Sequence, residues 1–273
     1  MTVTKPKNFF LTTPIVIKNL IIINGLVFLA QVSLRNSLGP WIDDHLALHY
    51  WGSELFRPYQ FLTHLFMHES LLHLLNNLLT LWLFGSLLEK LWGPKRFLIF
   101  YLLCGMGAAA LYMGVQNYQN LHLQRDAQQF LDQPNYKNFV TLDNRYDLSS
   151  GDYVYDETKD RLARFPHDPE VIFTTKEFIR QFVDSYTNTY VLGASGAVFG
   201  ILFAFGFLFP NAVVWPLPWR AKYVIGAYIL LELVLGFHHV PGDNVAHFAH
   251  LSGVLISYIL LKAWAKSGRS NYH

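Results

Sequence analysis

Six apolar blocks are spaced along the chain, at about 15 to 33, 71 to 88, 97 to 115, 191 to 209, 223 to 237 and 247 to 264. Each approaches the roughly 20 residues that a helix needs to cross a hydrocarbon core, so the pattern predicts an all-α membrane protein with six transmembrane helices. The first block is not expected to be a cleaved signal segment, because Lys18 and Asn24 interrupt it and no small-residue cleavage site precedes the polar Arg35 to Pro40 stretch. Asn24, Asn76, Asn77, Glu232 and His250 break the apolar runs. Such groups are costly in hydrocarbon and are expected to face the bundle interior. Between Gln116 and Tyr190 the apolar character collapses into twelve acidic and eight basic residues with scattered aromatics. The chain therefore divides into 1–116 with helices 1 to 3, an extramembrane insert at 117–189 between helices 3 and 4, and 190–273 with helices 4 to 6 and a tail. Within the insert, Thr174 to Tyr186 reads as a helix capped by Thr174 or Thr175, and Tyr153 to Thr158 as a short strand. The first loop, Leu34 to Gln60, is dense in aromatic residues and reads as an interfacial segment, either an anchoring belt or a substrate-facing element.

Composition sharpens this picture. Hydrophobic residues make up 52% of the chain and charged residues 15%, against roughly 25% charged in soluble proteins. A net charge of +2 provides no basic field for a nucleic-acid backbone. The single cysteine, Cys104, lies in an apolar run and reads as a buried small hydrophobe. Lys5, Lys7, Lys18, Lys90, Lys95, Arg96, Arg220, Lys222, Lys262, Lys266 and Arg269 fall on the side shared by both termini, against Arg35 and Arg57 in the short loops opposite. Both termini are expected to be cytoplasmic. Helices 2, 4 and 6 then run inward, and their N-terminal ends share one depth near the outer leaflet.

The chemistry collects at those three ends. Gly193-Ala194-Ser195-Gly196-Ala197 opens the fourth block. Alone, a serine among small residues is a packing device more often than a nucleophile. Gly196, Gly200 and Ala204 repeat every four residues, however, and so do Ala249, Gly253 and Ser257 on the sixth block. Two such ridges let backbones approach closely, and facing each other at one depth they would bring Ser195 and His250 within hydrogen-bond reach. That is the requirement for an imidazole to take a serine proton. The second block opens with His64, His68, Glu69, Ser70, His73, Asn76 and Asn77. His68 and Asn77, nine apart, lie on opposite faces of one helix; they converge only if Ser70 is the N-cap and His68 precedes the helix. Both would then suit a tetrahedral oxyanion. A metal reading is weaker, because His68 and His73 are five apart rather than the four of a zincin helix. For His64, His73 and His247 the plainer reading is a hydrogen-bonded structural role.

These residues resemble the rhomboid family of intramembrane serine proteases. His64, His68, His73 and Asn77 look like the family's pattern on its second helix, Gly193 to Ala197 like its G-x-S-G-A motif, and Ala249 to Gly253 like its A-H-x-x-G motif. The resemblance covers about 1 to 116 and 190 to 266, and the insert has no counterpart in it. It implies a catalytic Ser195 and His250 dyad, with an oxyanion site of His68, Asn77 and the Ser195 backbone amide. His73, Gly193, Gly196 and Gly253 are implied in supporting roles, and Glu89 as a polar structural anchor. Tyr59-Gln60 stands where many members carry Trp-Arg, and Phe199 where some have a tyrosine stacked on the histidine.

The implied activity is hydrolysis of peptide bonds in or next to transmembrane segments of other membrane proteins, with the lipid bilayer and such substrates as partners. The implied location is a multi-pass position in a plasma membrane of the bacterial inner-membrane kind. No metal, cofactor or nucleic acid enters this scheme. The alternative is a catalytically silent rhomboid-like protein that binds membrane clients. A transporter would carry polar groups through the full membrane depth, whereas only Glu232 departs from the outer cluster. The insert is expected to form a small outer subdomain on the first loop, which either restricts substrate entry or is peripheral.

Overall fold

The computed structural model describes residues 13–149, 153–214, 219–237 and 247–266. Lys5, Lys7, Arg269 and the Lys266 side chain, which enter the expected orientation, lie outside that description. The helices are α1 (Ile15–Leu46), α2 (Leu71–Trp92), α3 (Pro94–Asp132), α4 (Tyr136–Tyr146), α5 (Tyr153–Arg164), α6 (Pro169–Thr187), α7 (Ser195–Leu208), α8 (Ala221–Phe237) and α9 (His247–Lys266). Among the described residues there are also short helical segments at Gln60–Thr63 and His64–Phe66 and two-residue strands, β1 (Leu48–His49) and β2 (Tyr190–Val191). All six apolar blocks are helical. Of these, α1, α2, α3 and α9 are long and apolar enough to cross a membrane, while α7 and α8 are shorter, at 14 and 17 residues.

Element ends differ from the expected ones for local reasons. Helix α1 continues through the polar 35–40 stretch with Pro40 inside it, although a proline removes one ladder donor and crowds the carbonyl four residues back, and Ile42 is buried again beyond it. Helix α3 runs on past Gln116 because helix propensity does not depend on apolarity, and the Gln, Leu, Ala and Arg residues that follow are good helix formers. Helix α7 starts only at Ser195, because Gly193 holds φ at +116°, outside any right-handed helix.

The chain divides into two compact units. The first contains the residues up to Leu48, then Arg57–Met113, and the chain from Tyr190 onward. Its core holds Leu81, Phe97, Tyr101, Cys104, Ala197 and Ile201. Glu89 of α2 is buried and accepts the amides of Val16 and Ile17, at 2.9 Å each. It thus satisfies two of the four free donors at the start of α1, which is the anchoring expected of it. The two small-residue ridges meet. A methyl group on Gly253 of α9 would land on the Gly196 carbonyl oxygen of α7, and one on Gly200 would lie 3.2 Å from the Gly253 oxygen. Ser257 Oγ donates to the Gly200 carbonyl at 2.8 Å. From the other side, Ala108 and Cys104 of α3 close on Gly196 and Gly200. Asn24, Asn77, Glu232 and His250 are buried as expected, whereas Asn76 is exposed.

The second unit combines His49–Phe56 with Gly114–Thr189. Its core includes Leu123, Phe130, Phe139, Leu142, Leu162 and Ile179. The expected strand at Tyr153 to Thr158 is instead the first half of α5. Tyr155 and Leu162, seven residues apart, both enter the core from one helical face, and Lys159 between them donates to Asp143 and to the Tyr155 hydroxyl. Helix α6 begins five residues before its expected start. Asp168 is the N-cap, accepting from Glu170 and Val171, and Pro169 occupies the first turn. Thr175, expected as a cap, is buried mid-helix and donates back to the Val171 carbonyl. Tyr50 and Trp51 donate to the Asn117 side chain, and Ser53 donates to that of Asn188. Asn120 accepts from Thr187 at 3.1 Å, so the two ends of this segment lie side by side.

Candidate active site

Ser70 has extended backbone and its hydroxyl accepts the His73 amide at 3.2 Å, which makes it the N-cap of α2. His68 therefore lies in the preceding loop, as the spacing requires. Gln31 of α1 holds that loop: its side chain accepts the His68 amide at 3.1 Å and donates to the His68 carbonyl at 3.4 Å. The imidazole of His68 meets that of His73 edge-on, with centroids 5.2 Å apart. Both ring nitrogens of His68 and the Asn77 amide nitrogen are buried and make no hydrogen bond of ordinary geometry among the described residues. His64 is a structural histidine: it is buried, its Nδ1 is 2.7 Å from the Gln60 carbonyl, and its own carbonyl accepts the Gly193 amide. Gln60, the departure in the first loop, anchors it by donating to the Asp44 and His45 carbonyls and accepting the Arg57 amide.

The loop before α7 lies on this cluster. A Cβ at Gly193 would sit 2.7 Å from His73 Cε1 and 3.9 Å from Asn77 Nδ2, so only glycine allows both the backbone angle and the approach. Ser195 is half-buried and is the first residue of α7, which leaves its amide outside the helical ladder. One turn further, the Phe199 ring lies flat on His250, with centroids 4.2 Å apart and planes 7° from parallel. Phenylalanine thus gives the ring a stacking surface here. His73 and Asn77 lie against Gly193, Ala249 and Gly253 against Gly196, and His250 against Phe199. Among the described residues no hydrogen bond joins Ser195 to His250.

Sequence reading did not identify Glu232 or Gln31 as partners of this site. Glu232 of α8 is buried and its Oε2 is 2.7 Å from His250 Nδ1 and 2.8 Å from His247 Nδ1. An ionisable residue inside an apolar helix is itself a signal, but its partners lie on the next helix. Donor atoms of Glu232, His247 and His250 all fall within 4.8 Å of one another, a nitrogen and oxygen set of the kind that holds zinc. A half-buried hydroxyl, an imidazole on the adjoining helix and buried unpaired donors next to the turn are groups that acyl-transfer chemistry can use.

Comparison with curated proteins gives no match. The family model of the Rhomboid domain matches residues 55–123 and 171–266, and the break between them falls within the 117–189 segment. That match extends over more than half of the 273 residues and includes Ser195, His250, His68 and Asn77. Together with its apolar helices it makes the chain an integral membrane protein, and the chain belongs to the rhomboid family.

Proposed function

We propose that the chain is an intramembrane serine endopeptidase that cuts peptide bonds in or next to transmembrane segments of other membrane proteins. His250 Nε2 takes the Ser195 Oγ proton as Oγ bonds to the scissile carbonyl carbon. The carbon–nitrogen bond then breaks as the imidazolium passes that proton to the leaving amine. Water next attacks the acyl-serine ester and gives a proton to Nε2, and Ser195 Oγ regains a proton as the acid leaves. His68, Asn77 and the Ser195 amide donate to the oxyanion in both steps. No metal or organic cofactor enters these steps. In this reading all six apolar helices cross the bilayer with both termini cytoplasmic, in a plasma membrane of the bacterial inner-membrane kind, and 117–189 is an extramembrane insert.

The observation that carries the reading is the contact of Gly253 with the Gly196 backbone, which holds the start of the His250 helix against the start of the Ser195 helix. The unpaired donors of His68 and Asn77 support it. Catalytic hydrogen bonds are often long without substrate and tighten in its complex. The test is labelling of the detergent-purified protein with a serine-directed fluorophosphonate. Wild type takes up the probe and Ser195→Ala does not. A folded wild type that stays unlabelled favours the silent, client-binding alternative.

A further inference from the structure

Glu232 is 4% exposed on a helix whose other charged residue, Lys222, stands at its start, and its surroundings narrow what it can do. An ionised carboxylate only accepts hydrogen bonds. The two imidazoles that meet its Oε2, His250 at 2.7 Å and His247 at 2.8 Å, both approach through Nδ1, so an ionised Glu232 requires both to donate from that atom. A neutral His250 with its proton on Nδ1 has a bare Nε2, and Nε2 is the atom that must receive the Ser195 proton. The Phe199 face fixes the plane of the His250 ring, and a hydrogen bond at Nδ1 fixes its direction within that plane. Together the two contacts leave the imidazole little freedom. His247 lies toward α8 instead, its Cβ 3.3 Å from where a methyl on Gly236 would be.

We propose that Glu232 is a positioning residue for His250: it holds the imidazole in the tautomer with Nδ1 protonated and steadies the imidazolium formed when the serine proton arrives. The site then works as a serine, histidine and glutamate relay of contacts in which Glu232 keeps no proton of its own. This rests on the serine-protease reading above. The competing account is a tether, in which Glu232 only ties α8 to α9. A tether needs a hydrogen-bonding side chain of the right length, and glutamine supplies one. Tautomer control needs an acceptor that cannot also donate, and a glutamine amide fails that requirement.

The experiment uses the purified full chain and a fluorophosphonate probe at Ser195. With Glu232→Gln the limiting rate constant at saturating probe falls by about 10²-fold or more, the direction seen when a triad carboxylate becomes an amide. The probe concentration at half-maximal rate stays within about threefold. Glu232→Asp, which keeps the charge, labels at least about tenfold faster than Glu232→Gln. Equal labelling of Glu232→Gln and wild type overturns the proposal and leaves the tether. If Glu232→Gln does not fold, wild type carrying ¹⁵N-histidine decides. The His250 signals, assigned by their loss in His250→Phe, show a protonated Nδ1 and a bare Nε2 when the ring is neutral, and a proton on Nε2 overturns the proposal. A wild type that takes up no more probe than Ser195→Ala fails the protease reading itself, which is a different result from a labelled wild type indifferent to Glu232→Gln.

Discussion

A buried donor without a partner costs about 1–3 kcal/mol, so at His68 and Asn77 stability and chemistry pull in opposite directions. Asn77→Leu, close in volume, is expected to raise the melting temperature while lowering fluorophosphonate labelling by roughly 10² to 10³, the usual loss for one oxyanion donor. A melting temperature that falls together with the rate would make Asn77 a packing residue. Ser195→Ala and His250→Ala are each expected to abolish cleavage of a transmembrane substrate, and the double variant to be no worse than either, because in the proposed mechanism the pair works as one unit. Multiplying losses would mean independent roles. At this scale the site residues could be singled out in sequence because each sits in a short motif: the glycines around Ser195, the alanine and glycine around His250, and Ser70 as the cap that frees His68. Glu232 was visible only as an anomaly. Its meaning depends on a contact 18 residues away, on another helix, which local spacing does not encode.

Helices α7 and α9 touch through their backbones, which makes their seam sensitive to a single carbon. Gly253→Ala places a methyl on the Gly196 carbonyl oxygen and is expected to lower stability by more than about 3 kcal/mol, the upper range for overpacking, and to abolish labelling. Gly226→Ala in α8 meets nothing within 4 Å and is expected to leave labelling intact, with a small gain in stability from helix propensity. Thermal unfolding followed by circular dichroism separates the two. Apolar length and small-residue spacing were enough to read the six apolar helices and this seam, but not the polar helices α4 and α5. The ends were harder, because they are set by single residues whose effect is conformational: Gly193 with its positive φ delays α7, and Asp168 with Pro169 starts α6 ahead of the apolar face that marks it.

For the molecule as a whole, the expectation that the insert packs on the first loop agrees with His49–Phe56 joining Gly114–Thr189 in one unit, but the hydrogen bonds that join them go to Asn117 and Asn188, far apart in the chain, which no sequence pattern singled out. Because Asn120 and Thr187 are hydrogen-bonded, a short Gly/Ser linker in place of 121–186 can reconnect the chain without strain. Such a deletion is expected to leave labelling of Ser195 intact, because the proposed dyad and oxyanion donors belong to the other unit. Lost labelling in a folded deletion protein would mean that the segment helps to build the site. The Gly253 contact has a consequence for how this molecule can vary. The obstacle to any side chain at position 253 is a peptide oxygen, which every residue at position 196 also carries. No substitution elsewhere in the chain removes it, so second-site suppressors of Gly253→Ala should act by adding stability at other places rather than by repacking this contact.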